Sequence, residues 1–559
     1  MAAIFKNAPL VFLAAGLASS TVHALKWDGC TDVVNTEFKL VPLATHTGDT
    51  TSETMKMAFD LLASKTEDAK GKVDVYFTER LGKVRKYDSK TGKVLTIAKI
   101  PLNVNAAESS DGVMGIALDP GFKTNNYIYL YYSSLTATEK SWRVSRFTIN
   151  AAHDKLDLAS EIPVLKIPII GGSKHPGGAL QFDEYGDLWI GTGNDYHLET
   201  EFPVYSSPNT NDLRGKILRI HPTADGKYTI PKGNLFPEGT ALTKPEIYIM
   251  GNRNPYTISL DPVRRWLVWG DIGPDGVTMD GTPMNNGGPE KTEEYDLAKA
   301  PGNYGYPFFA GDFMTKAGTN PAAPVIPDKP NWANSTPGML TLPAVVMPIY
   351  PYKRSCAITG PIYRYSGELN SSVKFPPHFT RKWLVSDYNG DNNKVKALTL
   401  SDDGTKVTAE ENVIGIPLHS PLDIQYGPDG ALYVNNYDGT RAIPVGTNTG
   451  IVRIEYTGTC HPPTPLLETT VSIGAKAARE GIAWNGPRVD ILPGATLAVS
   501  VATEGGFTLS LRDLQGRPLA SRAARGSAPV TLDEVKQAGV YLLNVTSSEG
   551  TKVVKVVRN

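Results

Sequence analysis

The stretch KHPGGALQFDEYGDLWIGTGND holds the residues best suited to chemistry, beginning with a histidine ahead of small and rigid neighbours. His175 stands at a loop-to-strand junction, and Pro176-Gly177-Gly178 let backbone or ligand approach it closely. A neutral imidazole there can act as a general base, because its ordinary pKa lies near working pH. A histidine that merely hydrogen-bonds its own loop would leave the same trace. Gly251-Asn252-Arg253-Asn254-Pro255 joins one apolar run, IYIM, to another, YTISL. Arg253 offers a planar, permanently charged fork for carboxylates or polarised oxygens, and Asn254 adds donors and an acceptor; an arginine pinning a loop is the alternative. Gly270-Asp271-Ile272-Gly273-Pro274-Asp275 reads as a sharp turn after a strand. Its bared carbonyls, with Asp271 or Asp275, suit Ca²⁺, which takes roughly 6–8 oxygens, although an ordinary hairpin explains them too. Glu293-Glu294-Tyr295-Asp296 follows, with paired acids that either hold a cation or face solvent.

The elements that must position these groups repeat. Six segments share a pattern of strand, Asp/Gly/Pro-rich turn and aromatic strand: Met57–Asp88, Ile116–Ser133, Leu180–Asp195, Ile258–Asp275, Lys382–Leu400 and Ile424–Gly439. In the third, Ala179–Phe182 and Leu188–Gly191 flank a tight turn, Asp183–Asp187. Small antiparallel sheets that cannot bury their faces alone pack radially. The expected fold is therefore all-β, a six-bladed β-propeller over residues 25–460, with two packed sandwiches as the competing arrangement. Pro301–Met347, rich in Pro, Gly, Asn and Ala, reads as an inserted loop of the kind that carries binding groups. The run HPPTP marks a linker at 461–468, and alternating strands over Thr469–Asn559 predict a small C-terminal β-sandwich.

At 559 residues the chain exceeds one ordinary domain, and its 41% hydrophobic and 20% charged content is that of a globular protein. A net charge of −1 gives no nucleic-acid footprint. No P-loop, no strand-to-helix GxGxxG, no GxSxG and no HExxH occurs, which argues against nucleotide cofactors and the common hydrolase sites. Lys6, the apolar run Ala8–Ala18 and Val22-His23-Ala24 predict a signal peptide over residues 1–24, because the run is shorter than the ~20 residues of a membrane span. Export permits a disulfide, and Cys30 and Cys460 bracket the repeat region, with Cys356 between them; three thiols remain the alternative.

Together these stretches resemble the glucose/sorbosone dehydrogenase family, the soluble quinoproteins that use pyrroloquinoline quinone (PQQ). The resemblance spans about Ala58–Thr457 and rests on FTERLGKVRKYD, GVMGIALDPGF, RVSRFTI, KHPGGALQFDEYGDLWIGTGND, NTNDLRGKILRIHP, IYIMGNRNP, WGDIGPD, GNYGYPFFAG and GPDGALYVNNYD, in that order. It implies a six-bladed propeller with His175 taking the proton of a sugar's C1 hydroxyl. Arg253 would contact the quinone oxygen, and Asn254 would neighbour the cofactor. By the same resemblance the carbonyls of Gly273 and Pro274 bind the Ca²⁺ that anchors PQQ. Glu294, with carbonyls of Tyr304 and Ala310 and with Asp312, matches a second, structural Ca²⁺ site.

The chain departs from the family where cations meet the cofactor carboxylates: Asp387-Tyr388-Asn389-Gly390 and Ser420-Pro421-Leu422-Asp423 carry none, with Lys174, Lys394 or Arg354 as substitutes. Ser110-Asp111 likewise stands where the family has Gln or Glu ahead of its GLLG-like motif. The tail LSLRDLQGRPL…GVYLLNVTSSEGTKVVKVV resembles C-terminal sorting domains of the type IX secretion route; an accessory sandwich is the alternative. The expected activity is that of a secreted, PQQ- and Ca²⁺-dependent sugar dehydrogenase with an external electron acceptor. A non-catalytic glycan- or protein-binding propeller and a Ca²⁺-dependent lactonase-like hydrolase stay open beside it.

Overall fold

The computed structural model describes residues 37–460 except 46–52, 103–109, 136–138, 171–173, 196–205, 274–291, 312, 315–319, 327–335, 354–355, 389–394, 414–417, 419, 438, 441–442 and 445–449. It also describes eight strands between 471 and 558. The expected signal peptide, linker and Cys30 lie outside the described residues.

The strands build six radially arranged antiparallel sheets. Their innermost strands are Thr54–Leu61, Val113–Leu118, Gly177–Phe182, Pro255–Leu260, Ala357–Ile362 and Ser420–Tyr426, for blades 1 to 6. Each touches the next, and the sixth touches the first, so the ring closes. Second strands lie between neighbouring blades and are buried on both faces. Val73–Glu79, Leu188–Thr192, Leu267–Asp271 and Leu432–Tyr437 are buried at every position. Outer strands such as Val407–Asn412 meet water and carry charge. Indoles recur between blades: Trp189 on Tyr248 and Trp269 on Tyr304, both edge-on at 4.6 Å between ring centroids.

Two features escape the repeat pattern. Lys382–Leu400 is not the start of blade 5 but its second and third strands; the first, AITGPI, carries Gly360-Pro361 within the strand and is followed by YRYSGEL and not by an Asp-rich turn. The outer strand of blade 6 is Phe38–Thr45, from the opposite end of the region, paired antiparallel with Gly450–Tyr456. Its Phe38 ring packs on Phe375, Tyr456 and Phe379 at 5.1, 5.5 and 6.1 Å. Cys460 is half of a disulfide, and Cys356 is not in one. The insertion 301–347 is partly structured: Gly302–Asn303 adds a parallel strand to blade 3, and Ile326 and Leu342 join the core.

All six innermost strands also slip register. The shifts fall between Thr54 and Met57, Val113 and Gly115, Gly177 and Leu180, Pro255 and Thr257, Thr359 and Ile362, and Pro421 and Asp423. Such bulges re-aim a side chain and mark functional rims. Beyond the propeller, a five-stranded and a three-stranded sheet form, with Phe507, Leu509, Leu511, Leu532, Leu543 and Val545 in one buried cluster.

Candidate active site

The strands of blades 3 and 4 begin at one rim of the ring, and the loops entering them carry His175 and Arg253. His175 has a backbone φ of 51°, in the left-handed region where a side chain is costly, as at sites that over-determine a residue's placement. The strain has visible causes. Tyr131 of blade 2 donates its hydroxyl to the Pro176 carbonyl at 2.7 Å, and Gly177 N–H donates to Asn254 Oδ1 at 3.1 Å. Across from it, a Cβ at Gly193 would fall 1.7 Å from the His175 carbonyl oxygen, so only glycine admits this loop.

The ring is oriented by Asn194, whose Oδ1 lies 2.7 Å from His175 Nδ1. An amide oxygen only accepts, so Nδ1 carries the proton and Nε2 carries the ring's lone pair. That is the tautomer a general base requires. Asn194 is in turn locked, its N–H donating to the Arg253 carbonyl at 2.8 Å and its carbonyl accepting from the Ser206 hydroxyl at 2.7 Å. Behind it, buried Arg214 pairs with Asp195 and Asp212. Burial opposes ionisation of Asp212, but the Arg214 guanidinium wins and holds its carboxyl below the ordinary value.

Arg253 is 3% exposed and donates through Nη1 to the Ile272 carbonyl at 3.1 Å. Its loop is tied to the next turn by Asp271, which accepts from Arg253 N at 2.8 Å and Asn254 N at 2.6 Å. Asp271, which by sequence is open, with Asp275, either to Ca²⁺ or to an ordinary turn, is thus occupied with the backbone. Burial pushes its carboxyl up to about 7, against those two N–H groups and the guanidinium. Glu293 accepts from Gly273 N at 3.3 Å and Ala357 N at 2.9 Å, joining blade 4 to blade 5, and burial raises it to about 8.

His175, Asn194, Arg253 and Asn254 are therefore linked through hydrogen bonds of their loops, and Gly273 follows Ile272, whose carbonyl Arg253 holds. Pro274, Asp275, Asp312, Lys394 and Arg354 lie outside the described residues. Glu294 is brought against the backbone N–H of Gly311, next to Ala310. Tyr304 packs on Trp269 and donates its hydroxyl to Leu297 at 3.1 Å. Lys174 bridges to Asp195 through its backbone. The departures at blades 5 and 6 place Tyr388 against Tyr437, stacked at 6.2 Å between centroids and 14° between planes. Sequence reasoning missed Asn194 and Arg214, although both lie in the motifs GTGND and NDLRGK. Their roles depend on which side chains meet, and spacing does not reveal that. The lactonase-like reading needs carboxylates converging on a central metal. Among the described residues no three His, Cys, Asp or Glu side chains gather closely enough to hold one.

Known proteins resemble this chain in sequence and fold. Quinoprotein glucose dehydrogenase B of Acinetobacter calcoaceticus is 28% identical over 258 residues, 42% of this chain and 48% of that protein, so the match spans about half of the relative. Aldose sugar dehydrogenase YliI of Escherichia coli is 24% identical over 359 residues, 64% of this chain and 82% of the relative. The crystal structure of the soluble aldose sugar dehydrogenase of Escherichia coli, in its apo form, superposes with a TM-score of 0.51 at 19% identity, covering 75% of this chain and 99% of that one. That likeness speaks to the propeller alone. Residues 68–443 match the profile of the family described as glucose/sorbosone dehydrogenase, and the chain belongs to that family.

Proposed function

We propose that the protein is an exported quinoprotein sugar dehydrogenase that oxidises the C1 hydroxyl of an aldose or oligosaccharide to a lactone. The observation that carries this reading is the His175–Asn194 contact, which sets the base-competent tautomer beside a buried guanidinium. His175 accepts the hydroxyl proton at Nε2 while Asn194 prevents the ring from turning. Arg253 offers its fork to an oxygen on which negative charge develops. PQQ, when bound, supplies the two-electron acceptor, and a soluble external acceptor takes the electrons on. The quinoprotein and aldose dehydrogenase names of the relatives support the cofactor and the substrate class.

The residues also fit a cation. Gly273 is held by Glu293 on the rim, and with Pro274 it would present carbonyls to the Ca²⁺ that anchors PQQ. Deeper in blade 4, Asp296 is fully buried with neither carboxylate oxygen hydrogen-bonded, and its charge bears on Glu294. An orphaned buried carboxylate beside a second acid is what a structural Ca²⁺ near Glu294, Tyr304, Ala310 and Asp312 would relieve. The C-terminal sheets are read as a β-sandwich serving export or sorting. Among the described residues no helix is long and apolar enough to cross a membrane.

The test is reconstitution of the purified chain with PQQ and Ca²⁺ and assay of aldoses with a dye acceptor. If no sugar reduces the dye and no quinone absorbance is retained, the reading fails. His175→Ala is expected to lower turnover by about 10²–10⁴-fold with PQQ binding intact. A second reading, a propeller that binds glycan or protein without turnover, draws on the stacked Tyr388 and Tyr437 at positions that lack cations. Unchanged ligand capture by His175→Ala, with no turnover in the native protein, would favour it.

A further inference from the structure

Lys56 and Lys216 are buried in the propeller, and burial pushes both down to about 7. They differ in what their protons do. Lys216 donates to the carbonyls of Ser206, Ser207 and Arg214 at 2.8, 2.9 and 2.7 Å. An ammonium has three donors, so Lys216 is satisfied and closes a loop. Lys56 makes one hydrogen bond, to the Leu422 carbonyl at 3.0 Å, and rests on the Tyr256 ring, 3.4 Å from its centroid. No ion pair reaches it among the described residues. Asp423, whose charge it feels, is held instead by Met57 N at 3.0 Å and Gln425 Nε2 at 2.7 Å.

Its place in the ring is specific. Lys56, Tyr256 and Leu422 fall in the bulges of blades 1, 4 and 6. Blade 4 stands opposite blade 1 in a ring of six, so the lysine reaches across the axial channel. Tyr256 follows Arg253 and Asn254 directly after Pro255, which puts the ammonium against the wall of the candidate site. The Tyr256 hydroxyl is buried and has no hydrogen-bond partner. Two unspent donors, one of them cationic, thus share one end of the channel. Isolation of that kind costs free energy that an apolar side chain would not incur. The Leu422 carbonyl, the Tyr256 ring and the Asp423 charge return part of it, and two of the three ammonium donors stay without an acceptor among the described residues.

We propose that Lys56, with the Tyr256 hydroxyl, receives a carboxylate of the ligand that fills the mouth of the channel. The inference rests on the PQQ reading, since PQQ brings three carboxylates to the site. The ammonium would then gain a charge-assisted hydrogen bond and the phenol an acceptor. Lys56 thereby supplies a cation from blade 1, a place the motifs do not mark.

The experiment titrates the full-length apoprotein with PQQ in the presence of Ca²⁺, followed by quinone absorbance and calorimetry, without turnover. Thermal unfolding of each unliganded variant is recorded alongside. Lys56→Met is expected to weaken PQQ binding about 10–100-fold while its Tm stays equal to or rises above that of the parent. Tyr256→Phe, which removes one oxygen, is expected to weaken binding about 3–10-fold with Tm unchanged. Met55→Leu, in the same bulge, is expected to bind as the parent does. Lys56→Met binding PQQ as tightly as the parent overturns the proposal. So does a fall in Tm that matches the loss of affinity, because the lysine would then be structural. If Lys56→Met does not fold, Tyr256→Phe decides: parental affinity overturns the proposal, and the expected loss upholds it. If the parent itself binds no PQQ, the cofactor reading falls and the proposal with it. If the parent binds and the variants bind equally, the proposal alone falls.

Discussion

At the scale of the residue, the proposed catalysis turns on one amide. Asn194 orients His175 without adding charge, so the imidazolium formed on proton transfer has no carboxylate against Nδ1. Asn194→Asp would put a carboxylate there and favour the protonated ring. The acid limb of kcat/KM against pH, set by loss of the His175 proton, is expected to move to higher pH by about one unit or more. A profile that does not move would mean the base is elsewhere. Lys56 offers a second measurement at this scale. Its folded pKa of about 7 lies below the 10.5 of an ordinary lysine, so between these values the unfolded chain binds more protons at this site than the native one. The group therefore penalises the fold fully below pH 7, and the penalty is lifted as pH rises toward 10. Buried acids remote from Lys56 cancel in a comparison, while Asp423, whose carboxyl the ammonium pulls down against burial, does not. The stability advantage of Lys56→Met over the parent, read from urea midpoints, is expected to be largest near pH 6 and to vanish toward pH 10.

At the scale of the element, blades meet backbone to backbone. Gly115 of blade 2 lies so close to blade 3 that a Cβ there would fall 2.0 Å from the Gly178 carbonyl oxygen. Gly115→Val must push those blades apart, at a cost of about 2–3 kcal/mol or more. The Pro176–Gly178 segment that carries His175 would shift with them. Turnover is therefore expected to fall along with the urea midpoint, although residue 115 touches no reacting group. A variant with native stability and native turnover would show that the blades slide freely, against this account.

At the scale of the molecule, the ring depends on a strand from its far end. Phe38–Thr45 completes blade 6, and Phe38 sits among Phe375, Phe379 and Tyr456. Phe38→Ala is expected to cost about 3–5 kcal/mol and to lower the single unfolding transition of the whole propeller, since the closure it anchors is shared by every blade. If calorimetry instead finds a separate, low-temperature transition for blade 6, closure is local and the expectation fails.

The sequence by itself determined the class of fold and marked the residues proposed for the site. Recurring strand–turn–strand units can be read locally, because turn chemistry and two-residue alternation are written in neighbouring residues. Glycine and histidine in KHPGG, and arginine in GNRNP, likewise mark the loops to which the proposed site is assigned. What escaped was everything made by residues far apart in the chain. The first strand of blade 5 hides because Gly360-Pro361 interrupts its pattern, and Phe38–Thr45 is a closing strand only in relation to Gly450–Tyr456. Asp271 proved to be spent on the backbone of Arg253 and Asn254, which no spacing foretells. Lys56 reads as one more polar residue in a strand, TMKMAF, until a bulge turns it toward a tyrosine contributed by the opposite blade. Tertiary structure alone decided these points, because burial and pairing are properties of what surrounds a group, and in a closed ring those surroundings come from hundreds of residues away.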